Sequence, residues 1–375
     1  GPSTWGWGEM KSLADGSDWN AVYSKQYDWY ISAYLDLMKA ESEKAGKRLL
    51  DVLDFHWYPE AQGSCRIIID ACDQISEAQA EARIQAPRSL WDNTFTEKSW
   101  ITSATTGNKP INLLGMVKSS IAARYPGTRM ALTEYEYGGH DHWSGGLAQA
   151  DVLGILGREG LYMATLWSQP GKFTKASFRI FRDYNGNGGT FGDLALPVAA
   201  GDPAALSVFA ALDSKDATKL HIVAINKTNA VRSTRFALPG GGFTGATVHG
   251  FDEGSDGNIT ARAAVSGLAP TEFTYALPAR SVLHFVLTGS PIVVGIRLPP
   301  QTRQRAGYAH GLSGGRPEGP ARLFGLDGRT VGRYSGNLGE VTPSSSAAGF
   351  RVLRLERDGH APRLMSGPAT GRLDR

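Results

Sequence analysis

The chain has 375 residues, 41% of them hydrophobic and 20% charged, which is ordinary globular composition and enough for two or three domains. No stretch approaches the roughly 18 unbroken apolar residues of a membrane-crossing helix, and Gly1-Pro2-Ser3-Thr4-Trp5-Gly6-Trp7 has neither the charged nor the apolar region of a signal peptide. The net charge of +3 is uneven: residues 291–375 hold 13 Arg against 6 Asp and Glu, and their scattered aromatics offer no stacking surface for nucleic acid.

All nine Trp fall within the first 167 residues, and no Lys follows Lys227, so three regions with different roles are expected. In the first, 1–168, residues 27–45 read as an amphipathic helix with Tyr30, Ala33, Tyr34, Leu37 and Met38 on one face and Gly46 as its stop. Residues 49–55 form an apolar run typical of a buried parallel strand. A helix over 111–125, a strand over 129–133, a helix over 147–158 and a strand over 161–166 follow. This alternation implies a parallel sheet with crossover helices.

The second region, 169–290, has short β-rich segments at 206–212, 220–226, 233–238, 246–251, 272–277 and 281–287, separated by Gly- or Pro-rich turns, and reads as an antiparallel sandwich. The third, 291–375, starts as a basic Pro-, Arg- and Gly-rich linker. A hairpin with an Asp327-Gly328 turn over 321–331 and a strand over 350–355 would make a small β module or tail.

Chemistry concentrates where the parallel strands end. The first full strand runs into His56-Trp57-Tyr58, the second into Glu134-Tyr135 with Tyr137 close by, and the third into Trp167. In parallel α/β barrels the strand C-termini open onto the face that holds the active site. Glycoside hydrolysis needs two carboxylates, and sugars stack their C–H faces on Trp and Tyr. Singly, Glu134 reads equally as an ion-pair partner, while Trp167 reads more often as a packed cap and His56 more often as a core histidine. Together on one face, they point to a glycan cleft.

The block Leu49-Leu50-Asp51-Val52-Leu53-Asp54-Phe55-His56-Trp57-Tyr58-Pro59-Glu60-Ala61-Gln62-Gly63 resembles a signature of glycoside hydrolase family 44. So do Gln85–Asp92 with Ser99-Trp100-Ile101, the block Ala131-Leu132-Thr133-Glu134-Tyr135-Glu136-Tyr137-Gly138-Gly139, and Ser144–Gly154, in the same order. The resemblance implies an endo-acting, retaining hydrolase of β-1,4-glucans such as carboxymethylcellulose and xyloglucan, bacterial and secreted. It implies the C-terminal part of a (β/α)8 barrel followed by a β-sandwich. Glu134 matches the nucleophile; His56, Trp57, Tyr58, Trp100, Tyr135, Tyr137 and Trp167 are expected to line the cleft and bind substrate.

The family carries its acid/base Glu in an Asn-Glu-Pro block, which does not occur in this sequence, and Gly1–Gly8 resembles the segment at the end of the fifth barrel strand. The resemblance therefore implies a chain that begins after the acid/base. Two other readings compete: a complete enzyme with Glu60 or Glu136 as acid, and a non-catalytic carbohydrate-binding protein using Trp57, Trp100 and Trp167. No cofactor is required. Asp183-Tyr184-Asn185-Gly186-Asn187-Gly188 has the oxygen spacing of a calcium loop, but its twelfth position is Leu194, so a Gly-rich turn without metal is expected. Cys65 and Cys72 are close enough for a local disulfide, with two free thiols an equal reading. The 321–331 segment, with 349–355, distantly resembles the sorting or anchoring modules of some secreted hydrolases.

Overall fold

The computed structural model describes residues 2–12, 17–68, 76–238 and 242–290, with the backbone of four further strands beyond them. Its first part comprises β1 (Pro2–Thr4), α1 (Trp7–Ser12), α2 (Ser17–Ala21), α3 (Tyr30–Ala45), β2 (Val52–Trp57), α4 (Glu77–Gln85) and α5 (Trp100–Thr105). It continues with α6 (Leu113–Arg124), β3 (Arg129–Tyr135), α7 (Trp143–Arg158), β4 (Met163–Leu166) and α8 (Lys172–Arg182). The four strands form one parallel sheet in the order β1-β2-β3-β4. Strands that add in chain order through helical crossovers are the pattern that the alternating periodicity predicts. Among the described residues β1 and β4 are unpaired edges, and Tyr162 and Met163 beside and on β4 are exposed.

The expected helices and strands of this part are present, with shifted ends. Gly46, at φ +63°, closes α3, as a left-handed C-terminal residue does. α7 starts at Trp143 rather than Leu147 because His142 Nδ1 accepts the Ser144 amide at 3.3 Å. Five helices were not expected: the short α1 and α2, then α4 and α5, each capped by a serine (Ser76 to the Gln79 amide, 3.2 Å; Ser99 to the Thr102 amide, 3.3 Å), and α8.

The second part is a six-stranded antiparallel sheet, ordered β10-β9-β12-β7-β6-β5, and a two-stranded sheet, β11-β8. Their ranges are β5 (Leu194–Leu196), β6 (Leu206–Asp213), β7 (Asp216–Asn226), β8 (Arg232–Ala237), β9 (Phe243–Asp252), β10 (Thr260–Ala261), β11 (Glu272–Leu277) and β12 (Ser281–Gly289). β12 is buried over its first seven residues because both faces of its sheet are covered. Val282 joins the core that α7 and α8 share with the parallel sheet, whereas Leu283, Phe285 and Leu287 join a second core with Phe236 and Phe273. Period-two alternation thus becomes an unbroken buried run.

The two parts meet along α7, which is buried on nearly every side. A Cβ on Gly154 would lie 2.3 Å from the Phe209 ring, so the missing side chain lets β6 reach the helix. An ion pair inside this contact joins Asp151 Oδ2 of α7 to Lys227 Nζ at 2.6 Å; both side chains are buried, and Lys227 also donates to Pro203 O at 3.1 Å. Helix α8 packs on α7 and also against β9 and β12.

Beyond residue 290, β13 (Ala321–Phe324), β14 (Thr330–Tyr334), β15 (Phe350–Arg357) and β16 (Arg363–Pro368) form an antiparallel sheet ordered β14-β13-β15-β16. The Asp327-Gly328 turn expected there lies outside the described residues. In the Asp183–Gly188 loop the oxygens are engaged by the loop itself: Asp183 Oδ1 accepts the Gly188 amide at 2.7 Å, and Asn185 Oδ1 accepts those of Asn187 and Gly189 at 3.0 Å. Cys65 is disulfide-bonded, and Cys72 lies outside the described residues. No helix among the described residues is long and apolar enough to cross a membrane.

Candidate active site

Glu134 is the penultimate residue of β3, paired in register with His56 near the end of β2. The β2–β3 register shifts between Phe55 and His56, and the β3–β4 register shifts between Leu132 and Tyr135. Bulges on both flanks release Glu134 from strict alternation and re-aim its side chain, a device common beside active sites. The side chain is half-buried, with its carboxylate among polar neighbours.

Two of those neighbours come from the end of β2. Tyr58 Oη donates to Glu134 Oε2 at 2.6 Å. Burial, that hydrogen bond and the charges of Glu134 and Glu136 raise the phenol above its usual value, so Tyr58 remains a proton donor to the carboxylate. His56 is buried and places Nδ1 3.1 Å from the same Oε2, but off the line of a hydrogen bond. Oε2 is thus held by one donor, Tyr58 Oη, with the His56 ring beside it.

The other expected cleft residues divide into two groups. Trp167 is 63% exposed just past β4, with its amide on Tyr135 O at 3.1 Å, and Trp100 is 42% exposed at the start of α5. Trp57, Tyr135 and Tyr137 are placed otherwise. Trp57 is fully buried edge-on against Trp7 at 6.5 Å; Tyr135 is buried with Oη accepting from Gln149 Nε2 at 2.7 Å; Tyr137 is buried against Tyr135. A sugar platform needs an open ring face, and these three rings have none. Their expected place on the cleft wall is corrected: they belong to the core beneath it.

Trp5, 79% exposed directly after β1, was not among the expected site residues. Its position was legible, since β1 ends where the Trp5-Gly6-Trp7 block begins. Trp5 and Trp167 follow the two edge strands, with Glu134 between them on β3.

Glu136 lies just past the end of β3. It is buried, whereas Glu134 is half-open. Burial pushes its pKa up, but hydrogen bonds from His140, Ser168 and the Gly138 amide outweigh that and hold it below the usual carboxylate value. An acid already ionised at neutral pH is a poor proton donor. Glu60, the other alternative, has Oε1 taken by Arg66 at 2.9 Å.

The turn after β3 is braced from below by Arg83, buried on α4, which donates to Tyr137 O (3.0 Å), Ser144 Oγ (2.8 Å) and Ile67 O (2.8 Å). Gly138 and Gly139 hold φ near +65°, and a Cβ on Gly138 would meet Ile67 O at 2.4 Å.

Comparison with known proteins finds relatives of one family. A family model described as glycoside hydrolase family 44 matches residues 1–61. Endoglucanase A of Paenibacillus lautus is 42% identical over 294 residues, which is 76% of this chain and 41% of that protein. The structure of a family 44 endoglucanase from Clostridium acetobutylium superposes with a TM-score of 0.73 at 40% identity, covering 77% of this chain and 56% of that one. A Paenibacillus polymyxa family 44 xyloglucanase solved with xyloglucan gives 0.71 at 37% identity, with 76% and 56% covered. The chain spans about half the length of these solved relatives and less than half of the curated one. Over its parallel sheet and its antiparallel sheets, the chain is similar to these glycoside hydrolase family 44 proteins.

Proposed function

We propose that this chain carries the nucleophile side of a retaining, endo-acting β-1,4-glucan hydrolase, built on part of a (β/α)8 barrel and acting outside a bacterial cell. The single observation that carries the reading is the Glu134 carboxylate at a parallel strand's C-terminal end, with Tyr58 donating to one oxygen. The four parallel strands in sequential order support the barrel. Cellulose-type glucan and xyloglucan are the proposed substrate class, in keeping with the family 44 relatives.

In this reading a glucan strand crosses the strand ends, with Trp167, Trp100 and Trp5 offering faces to its sugars. Glu134 Oε1 attacks the anomeric carbon and forms a glycosyl ester as the glycosidic C–O bond breaks; the leaving oxygen departs with the bonding pair and, for want of an assigned acid, takes its proton from water. Tyr58, hydrogen-bonded to Oε2, orients the attack and stabilises the carboxylate again when water cleaves the ester. Glu136 is held ionised and Glu60 is engaged by Arg66, so neither is assigned as the acid.

Dinitrophenyl β-cellobioside tests the reaction, because its leaving group departs without protonation. Proton NMR of the first product formed is expected to show the β anomer. The α anomer would overturn retention, and no cleavage of this glycoside would favour the carbohydrate-binding reading, which the exposed Trp5 and Trp167 also suit.

A further inference from the structure

The buried carboxylate two residues past Glu134 has no part in the chemistry above, yet several chain segments converge on it. Glu136 Oε1 accepts the Gly138 amide at 2.8 Å and lies 2.9 Å from His140 Nε2. His140 sets Nδ1 3.1 Å from Thr174 Oγ1, and its carbonyl accepts the amides of Phe173 (3.1 Å) and Thr174 (3.2 Å) in the first turn of α8. Thr174 is itself buried. A buried charge is tolerated only where such partners gather, and here they come from the turn after β3, which His140 in turn joins to the start of helix α8.

The segments joined in this way carry pieces that glycosyl transfer must hold together. Glu134 lies on the β3 side; the exposed Trp167, next to Ser168, lies on the β4 side. β4 is paired to β3 alone among the described residues, so its ladder gives the Trp167 end support from one side only.

We propose that Glu136 is a positioning residue. Through the His140–Thr174 chain it fixes the start of α8, and with it the segment that leads from Trp167 into that helix, relative to Glu134, and so sets the line of attack on a sugar stacked there. This inference rests on the reading of Glu134 as nucleophile. The bland alternative makes Glu136 a staple for the turn, which would alter stability and leave the reaction geometry alone.

Inactivation of the full chain by dinitrophenyl 2-deoxy-2-fluoro-β-cellobioside separates the two. E136A is expected to lower the limiting inactivation rate by roughly 10- to 10²-fold while the half-saturating concentration stays within about threefold, because a misplaced nucleophile slows the step without abolishing binding. E136Q keeps an oxygen for the Gly138 amide and is expected to restore most of that rate. T174V, which removes only the hydroxyl facing His140, is expected to reduce the same parameter less, and it decides the matter if E136A does not fold. Unchanged limiting rates in E136A and T174V, or a loss confined to the half-saturating concentration, overturn the inference and leave the nucleophile reading standing. If the unsubstituted chain is not labelled at Glu134, the nucleophile reading fails and this inference with it.

Discussion

Tyr58 Oη donates to Glu134 Oε2 at 2.6 Å, across the parallel pairing of β2 with β3, and that contact orients the carboxylate at the strand ends. Hydrogen bonds to a charged group contribute about 1.5–3 kcal/mol, so Y58F should slow inactivation by the fluorinated cellobioside by roughly 10- to 10²-fold. Stopped-flow release of dinitrophenolate measures it. An unchanged rate would mean that the phenol is a bystander.

The absence of an assigned acid has a direct consequence. General acid catalysis contributes about 10²–10⁴ in rate, so the chain should cleave an activated aryl cellobioside while turning over carboxymethylcellulose at least that much more slowly than a family 44 relative. Reducing-end assays against both substrates make the comparison. Ordinary turnover of the polymer would return a proton donor to the chain and reopen the assignment of Glu136.

Three histidines inside the six-stranded sheet predict loss of stability in acid. His221 Nδ1 lies 3.0 Å from His284 Nε2, and His284 Nδ1 lies 2.8 Å from Ile180 O of α8. Burial, then the nearby imidazoles, push His284 down to about 3; burial also lowers His221 and His249. The folded chain therefore binds fewer protons than the unfolded one. The stabilisation is complete above the unfolded value of about 6.5 and is lost below it, by about 1.4 kcal/mol per pH unit for His284, which stays neutral in the fold. Urea midpoints should fall from pH 7.5 to pH 5; a flat profile would contradict the arrangement.

The Asp151–Lys227 pair ties α7 to the sandwich from inside the core. Removing one partner of a buried pair strands the other charge and costs about 3–5 kcal/mol, whereas apolar replacement of both is often close to neutral. Chemical denaturation of K227M and of K227M/D151L should show that asymmetry. Equal losses in the two would place the stabilisation in packing.

At Gly154 a methyl group would press into the Phe209 ring. G154A is expected to cost about 1–3 kcal/mol by overpacking, even though alanine is the better helix former. A thermal melt above that of the unsubstituted chain would show that β6 can retreat from α7.

Much of this was legible in the sequence, and the failures share a cause. Gly46 and the 3.6-residue pattern place α3, and the short apolar runs place β2, β3 and β4 with Glu134 and Trp167 at their ends. Ser76 and Ser99 signalled α4 and α5 through serine caps three residues before their partner amides, but the helices themselves are too short for periodicity to reveal. Trp57, Tyr135 and Tyr137 were misplaced because burial beneath a strand end depends on α7 and on bulges that no local pattern records. His221, His249 and His284 meet only after β7, β9 and β12 pair in register, so their cluster had no sequence signal.

The central claim is that Glu134 is the nucleophile, and covalent labelling tests it most directly. The chain would be treated with the fluorinated dinitrophenyl cellobioside, digested, and sequenced by tandem mass spectrometry. One fluorocellobiosyl group on Glu134, absent from E134Q, is the predicted result. A label on Glu136 or Glu60, or an unmodified chain after prolonged exposure, would contradict it.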